Sequence, residues 1–504
     1  MKIYRGMAVG LALMGLLTLS CAALPQSEAY LYDTRGRSVP APVAYRVRDV
    51  IDGLAMGIGP WDEPHDLHVD AAGNVYLADT GNNRVVRMDA DFESAEVLAE
   101  VILNGETQSL SQPKGVFKAG DGLLYICDTG NARIIAVDEN RQVVREMTNA
   151  GITAINDQIS YTPEKVAVDT EGNVFVVDPA IYQGIVQYNA ENQFTGFFAP
   201  NEVKVTADVL FLQMWKDWFS SEQVESMERS LPSPYSNLFI DADNFLYTST
   251  AHAGTGKAIK HLNMLGVNIL QPEDKKFGRS TFGDQETSYE NGEEVGSSFV
   301  DVCATDAGLI CGADATRGRL FVYDRDCNLV AICGGSNQTR GSFRALAAIE
   351  QQGDLLLALD SEKASLTIFE PTPYMHKVLE ALSYYSAGKY VESVHLWEDI
   401  LQENSHLTVA YKSIGRAYFQ QGESAEAMRM LKKGDDPYFY SMALKEYRKE
   451  FVRQHFVWLL LGAVAGILLL VWAIKRIRRW MLSDRLVRQR RRTVGKAERR
   501  GKKT

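Results

Sequence analysis

Six stretches of this 504-residue chain repeat one pattern, and that repetition constrains the fold more tightly than any other feature. The pattern reads PHDLHVDAAGNVYLADTGNNRVVRMD from Pro64, PKGVFKAGDGLLYICDTGNARIIAVD from Pro113 and PEKVAVDTEGNVFVVD from Pro163. Weaker copies run PYSNLFIDADNFLYTST from Pro234, FVDVCATDAGLICGADATRGRLFVYD from Phe299 and FRALAAIEQQGDLLLALD from Phe343. Successive starts lie 49, 50, 71, 65 and 44 residues apart, one period with two insertions. Each copy is an apolar or alternating run, a polar turn holding Gly73, Gly122, Gly172 or Gly308, then further runs rich in β-formers. Three or four antiparallel strands cannot hide both faces alone, whereas like units set around an axis cover one another. The repeat therefore predicts a mainly β chain with a six-bladed β-propeller over residues 43–371. Tyr45 to Ile51 is expected to complete the last sheet, because a closed ring leaves no exposed edge.

Asp79-Thr80-Gly81-Asn82-Asn83-Arg84 and Asp128-Thr129-Gly130-Asn131-Ala132-Arg133 resemble the signature turn of NHL repeats, and the resemblance extends over about residues 45–370. At the strand end the carboxylate can accept turn N–H groups and the Arg guanidinium, so these aspartates read as structural rather than catalytic. The third copy keeps Asp178 without the Asn and Arg, the fourth is read with Ser249 in place of Asp, and the fifth keeps Asp314 and Arg319.

Propellers place ligands where loops converge on the axis. The residue after each repeat start, His65, Lys114, Glu164, Tyr235, Val300 and Arg344, is thus expected at one mouth, either as a ligand-binding ring or as solvated loop residues. Two enzyme classes with related propellers make specific demands. Calcium-dependent lactonases similar to gluconolactonase converge oxygen donors on one ion, and here only Glu164 supplies one, with Asp66 and Asp301 a residue further on. Amidating lyases with NHL-type propellers use a His-based zinc site, but His65, His68, His252 and His261 do not recur at equivalent positions. No GxSxG, HExxH or GxxxxGK motif is present. The expectation is a chain without cofactor, with calcium or zinc entering only under the enzyme alternative.

Residues 204–230 contain Trp215, Trp218 and Phe219 before a charged run, which reads as an amphipathic helix packed on the rim or facing a partner. Residues 272–298 read as a polar loop. Cys303 and Cys311 are symmetric about the fifth hairpin turn, so they face each other and are candidates for a disulfide outside the cell. Cys327–Cys333 is a weaker pairing, and Cys127 reads as a buried strand residue.

From Tyr374 the period becomes helical. Ala381 recurs as Gly415, Tyr384 as Tyr418, Ser393 as Ala427 and Trp397 as Leu431, a 34-residue spacing that resembles tetratricopeptide repeats over 373–455, with Gly388 and Gly422 as turns. Residues 456–474 form nineteen uncharged residues, about 28 Å of helix and enough to cross a membrane. Residues 1–29 have the layout of a secretory signal, with Cys21 raising lipidation as an alternative to cleavage at Ala23 or Ala29.

The formal charge of −11 hides an asymmetry: residues 475–504 carry +12 and the rest −23. A basic tail directly after the span is a positive-inside signal, placing 475–504 in the cytoplasm and the N-terminal domain outside. An acidic body excludes a sequence-independent nucleic-acid binder. Together these features resemble bacterial membrane-anchored NHL-repeat proteins. They imply a binding or scaffold component that meets envelope proteins, or carbohydrate, at the cell membrane.

Overall fold

The computed structural model describes residues 29–149, 160–201, 233–251, 258–270, 282–285, 288–290, 293–336 and 340–501, the last twenty as helical backbone only. Residues 1–28, Cys21 among them, lie outside this set, as do His252 and the segment holding Trp215, Trp218 and Phe219.

Six antiparallel sheets follow the six sequence copies. Blade 1 runs from Pro64–Val69 through Val75–Asp79 and Arg84–Met88 to Ala95–Leu98. Blade 2 spans 113–148, blade 3 spans 165–198 and blade 5 spans 299–334, each four-stranded. Blade 4 has three described strands over 237–262. Blade 6 takes three strands from 346–371, and its outer strand is Tyr45–Asp52, paired from Ser365 opposite Asp52 to Pro371 opposite Tyr45. The N-terminal strand thus closes the ring, as the edge argument requires.

Period two explains why the second strand of each blade reads as a continuous apolar run. Val75 and Leu77 point to the core shared with blade 6, while Tyr76 and Ala78 point to the core shared with blade 2. Every pair of neighbouring blades encloses one such core.

The repeated aspartate is a local lock. Asp79 accepts the Asp62 N–H at 2.7 Å on one oxygen, and Asn82 at 2.9 Å and Arg84 at 2.6 Å on the other. Asp128 does the same with Ser111, Asn131 and Arg133, each at 2.8 Å. Asp178, Asp314 and Asp360 keep the backbone half, accepting from Thr162, Ser298 and Arg344. In blade 4 Ser249 pairs with Asn237, where blade 1 pairs Ala78 with Asp66, so the aspartate position falls to Thr250 and not to Ser249. In blade 5 Arg319 has left Asp314: with Arg317, Tyr30 and Tyr32 it converges on Asp284, which ties the N-terminal hairpin Tyr30–Tyr32/Ser38–Pro40 to this blade.

Cys303 lies directly opposite Cys311, as the hairpin symmetry implied. The two are free thiols and the expected bridge is not formed; their contact and then burial hold Cys303 well above an ordinary thiol pKa. Cys327 and Cys333 are also free and buried, and Cys127 is a buried strand residue.

Five helices follow: α1 (Pro373–Ser386), α2 (Tyr390–Glu403), α3 (Thr408–Gln420), α4 (Ser424–Lys433) and α5 (Pro437–Gly501). Thr372 caps α1, its Oγ1 accepting the Met375 N–H, while its hydroxyl donates to the Val43 carbonyl at 2.7 Å. Gly388 and Gly422 turn between helices with φ of +74° and +83°. A Cβ on Gly415 would stand 2.6 Å from Leu431 Cγ, so only glycine lets α3 and α4 approach this closely. The helices are not a separate body, since Met375, Trp397 and Ile414 share one core with Phe343 and Phe369 of blade 6 and Cys311 of blade 5. Arg416 adds a clamp, pairing with Asp326 of blade 5 and, at 2.9 Å, with Asp436 before α5. Within α5, residues 456–474 sit in an apolar stretch long enough to cross a membrane.

Candidate functional site

The register explains what reaches the axis. At one end of the innermost strand the pairing skips a residue at His65, Lys114, Val300 and Ala347, each bulged out of its ladder. A bulge re-aims its side chain, and these residues define one mouth. Three of the expected residues meet there: Lys114 forms an ion pair with Glu164, and His65 lies beside both. Burial first, then the Lys165 ammonium, depresses the His65 imidazole to about 4, so it is neutral over the physiological range. Its Nδ1 has no hydrogen-bond partner among the described residues.

Tyr235 and Arg344 are not at this mouth. Tyr235 aligns with Pro64 rather than His65; it is buried between blades 3 and 4, and its hydroxyl donates to the Ala199 carbonyl at 2.6 Å. Arg344 precedes its strand by two residues, is 66% exposed and pairs outward with Glu362 at 3.2 Å. The equivalents of His65 in those blades are Ser236 and Ala347, because the sequence starts Pro234 and Phe343 lie one and three residues ahead of the position that Pro64 holds in the strand pairing. Val300 is bulged at the aligned position and packs against the blade 5–6 core.

One residue deeper, the inner strands are joined by a buried polar girdle. Lys165 pairs with Asp66 and lies 3.8 Å from Asp301. Asp66 accepts the Val116 N–H at 2.9 Å, and Asp301 accepts the Ile349 N–H at 2.7 Å, in both cases a free inner-edge amide of the next blade. Asn237 donates to the Val302 carbonyl at 3.3 Å. His68 Nδ1 lies 3.6 Å from Glu350 and its ring rests on Phe117 at 4.4 Å. These contacts touch every inner strand. The cavity among them measures about 20 Å³, room for one water.

Burial pulls the Lys165 ammonium down, but Asp301 and Asp66 together outweigh it and raise its pKa, so it stays charged. Burial pushes Asp301 up to about 7 against the pull of Lys165. Sequence reasoning had placed Asp66 and Asp301 one step from the ring; it missed Lys165, Asn237 and Glu350. The first two follow from the same one-residue step after Glu164 and Ser236.

The carboxylates a divalent cation would need are committed elsewhere. Asp66 and Asp301 face Lys165, and Glu164 faces Lys114. Among the described residues no group of three or more His, Cys, Asp or Glu is disposed to hold a metal ion. This donor set does not fit a calcium or zinc site.

The NHL repeat family model matches residues 62–88. No curated protein matches the chain. Among solved structures, a streptogramin B lyase is 10% identical, covering 65% of this chain and 98% of its own, with a TM-score of 0.41. Virginiamycin B lyase from Staphylococcus aureus is 10% identical over 65% of this chain and 88% of its own, at 0.34. A Bacteroides thetaiotaomicron protein of unknown function is 11% identical over 65% and 76%, at 0.41. Blade 1 thus carries the NHL repeat match, and the fold that contains it is a six-bladed β-propeller.

Proposed function

We propose that this chain is a membrane-anchored binding and scaffold protein, holding its propeller and its tetratricopeptide-like helices outside a bacterial cytoplasmic membrane. The carrying observation is the single core and the Arg416 clamp that join blades 5 and 6 to the helices, ahead of one continuous helix with an apolar stretch. A rigid joint of this kind presents two surfaces at a set angle to the bilayer. A tether that merely spaced a free propeller from the membrane would not need it. The basic tail supports a cytoplasmic C-terminus, and residues 1–29 support export of the N-terminus. The partners in this reading are other envelope or transport-assembly proteins, or a surface carbohydrate.

The enzyme alternative, a metal-dependent lactonase-like or lyase-like site at the mouth, finds its donors already occupied by Lys114 and Lys165. The test is thermal unfolding of the full chain in detergent, first with EDTA and then with calcium, zinc or manganese. A ligand that binds only the folded form raises the midpoint. The scaffold reading expects no metal-dependent rise. It also expects photo-crosslinkers at Lys114 and Tyr418, introduced in intact membranes, to give discrete adducts that a surface change beside each crosslinker abolishes. A saturable metal-specific rise lost in Glu164→Gln would overturn it in favour of the enzyme.

A further inference from the structure

Directly ahead of the apolar stretch, α5 carries an aromatic stripe that the propeller does not use. Tyr447, Phe451 and His455 stack at successive i, i+4 positions, with centroids 6.5 Å and then 4.4 Å apart and interplanar angles of 27° and 22°. The N-terminal end of α4 leans over this stripe and leaves a groove of about 500 Å³. Its rim carries Glu423, Glu426 and Glu450, and among the described residues no lysine or arginine lines it. Glu426 also pairs with Arg429, and Glu450 accepts a hydrogen bond from Gln454 at 3.1 Å. Tyr447 and Phe451 are 40% and 44% exposed, so large aromatic surface stands open beside three carboxylates.

We infer that this groove binds the ammonium headgroup of a zwitterionic membrane phospholipid of the phosphatidylethanolamine type, whose acyl chains run along residues 456–474. The inference rests on the membrane-anchored reading. An ammonium is attracted both to the face of an aromatic ring and to carboxylates, and an anionic headgroup is repelled by the same rim. Depth selects a lipid over a soluble amine. Phe451 lies five residues before Phe456, about 7.5 Å along the helix, and His455 adjoins the apolar stretch. The polar layer of a leaflet is about 5–7.5 Å thick, so His455 and Phe451 stand at headgroup level, and Tyr447, about 13.5 Å out, closes the groove above them. The groove's volume falls within the usual range of about 300–1,000 Å³ for small-ligand sites. Such a lipid would fill the gap between α4 and α5 and brace the propeller against the bilayer surface.

Native mass spectrometry of the full chain in neutral detergent, titrated with phosphatidylethanolamine or phosphatidylglycerol, tests this. Phosphatidylethanolamine adducts should outnumber phosphatidylglycerol adducts. Phe451→Ala and Glu450→Gln should each lower retention of the former about two- to fivefold and leave the latter unchanged, the size of one exposed cation–π or charge contact. Both residues are exposed, and unchanged circular dichroism confirms that the variants fold. Equal retention of the two lipids, or no effect of either variant, overturns the inference. Displacement by equimolar soluble O-phosphoethanolamine also overturns it, by assigning the groove to a free amine. Alkaline carbonate extraction of membranes tests the anchoring separately. Release into the supernatant refutes the anchored reading itself, whereas a pelleted chain without lipid preference refutes only the groove's occupant.

Discussion

Replacing Lys165 by Met tests the girdle at its centre. The change keeps the length of the side chain and removes one buried charge, so it strands Asp66 and Asp301, both buried. At 3.8 Å and an effective dielectric of 20, the attraction to Asp301 alone is about 4 kcal/mol, and the closer Asp66 loses at least as much. Part of this is recovered because a stranded carboxylate can take a proton. With an unfolded pKa near 3.9, neutralising one costs about 1.5 kcal/mol at pH 5 and about 5.6 kcal/mol at pH 8. The penalty at pH 8 should therefore reach the 3–5 kcal/mol typical of an orphaned buried partner, about 4 kcal/mol, and shrink towards about 2 kcal/mol at pH 5.

The sign follows from linkage. Carboxyls raised in the folded state contribute stability that is present below about pH 4 and lost as pH rises through their folded values. In the wild type the same sign is expected of Asp301, raised to about 7 by burial: its contribution fades between about pH 4 and pH 7. Urea unfolding of the detergent-solubilised chain, read by the far-UV strand signal at several pH values, measures the effect. A loss below about 1 kcal/mol at pH 8, or one that does not change with pH, would refute the reasoning. The triple variant with Asp66→Asn and Asp301→Asn should recover most of the loss, because amides still accept the Val116 and Ile349 N–H groups.

Further outcomes are expected. Asp79→Ala should cost about 3 kcal/mol, since it orphans the Arg84 guanidinium and the Asp62 N–H; Thr250→Ala, at the equivalent place in blade 4, should cost about 1 kcal/mol or less, both read by urea unfolding. Gly415→Ala should lower the melting temperature despite its better helix propensity, because overpacking against Leu431 at about 1–3 kcal/mol exceeds a gain of at most about 1 kcal/mol; a rise would refute the close contact. The His65 imidazole resonance should stay flat from pH 8 to about pH 5 by NMR. The His65 contribution to stability, read as the difference between the wild type and His65→Gln, should fall as pH drops from about 6.5 through about 4, where the unfolded chain takes up a proton that the folded one resists.

The blades were legible because turn chemistry recurs. Asp79 and Asp128 mark their strand ends with a carboxylate, and the apolar runs before them alternate between two buried faces. Closure by Tyr45–Asp52 was legible for another reason, a strand without a partner in its own copy. The mouth was only half legible. Repeat starts align the prolines of blades 1 to 3, but the starts read for blades 4 and 6, Pro234 and Phe343, lie one and three residues ahead of the position that Pro64 holds in the strand pairing. Tyr235 and Arg344 were thus counted in, and Ser236 and Ala347 left out. Lys165, Asp66 and Asp301 are far apart in sequence and belong to three different copies, so their meeting is a property of the closed ring. Arg319 shows the converse: the motif's aspartate and arginine are both kept, yet Asp284 from outside the repeat draws Arg319 away from Asp314.

Because Asp52 pairs with Ser365 and Tyr45 with Pro371, the two ends of the ring are more than three hundred residues apart in the order of synthesis. The strand made first waits for the strand made last, and until they meet Tyr45–Asp52 has no sheet and blade 6 offers the unpaired edge of Ser365–Pro371. Contacts of this sequence separation form late and slowly, because a long loop must be closed before any pairing stabilises it. Maturation is therefore gated by the arrival of Ser365–Pro371, the final strand before the helices, and a chain truncated even a few residues short of it would remain open and prone to associate edge to edge.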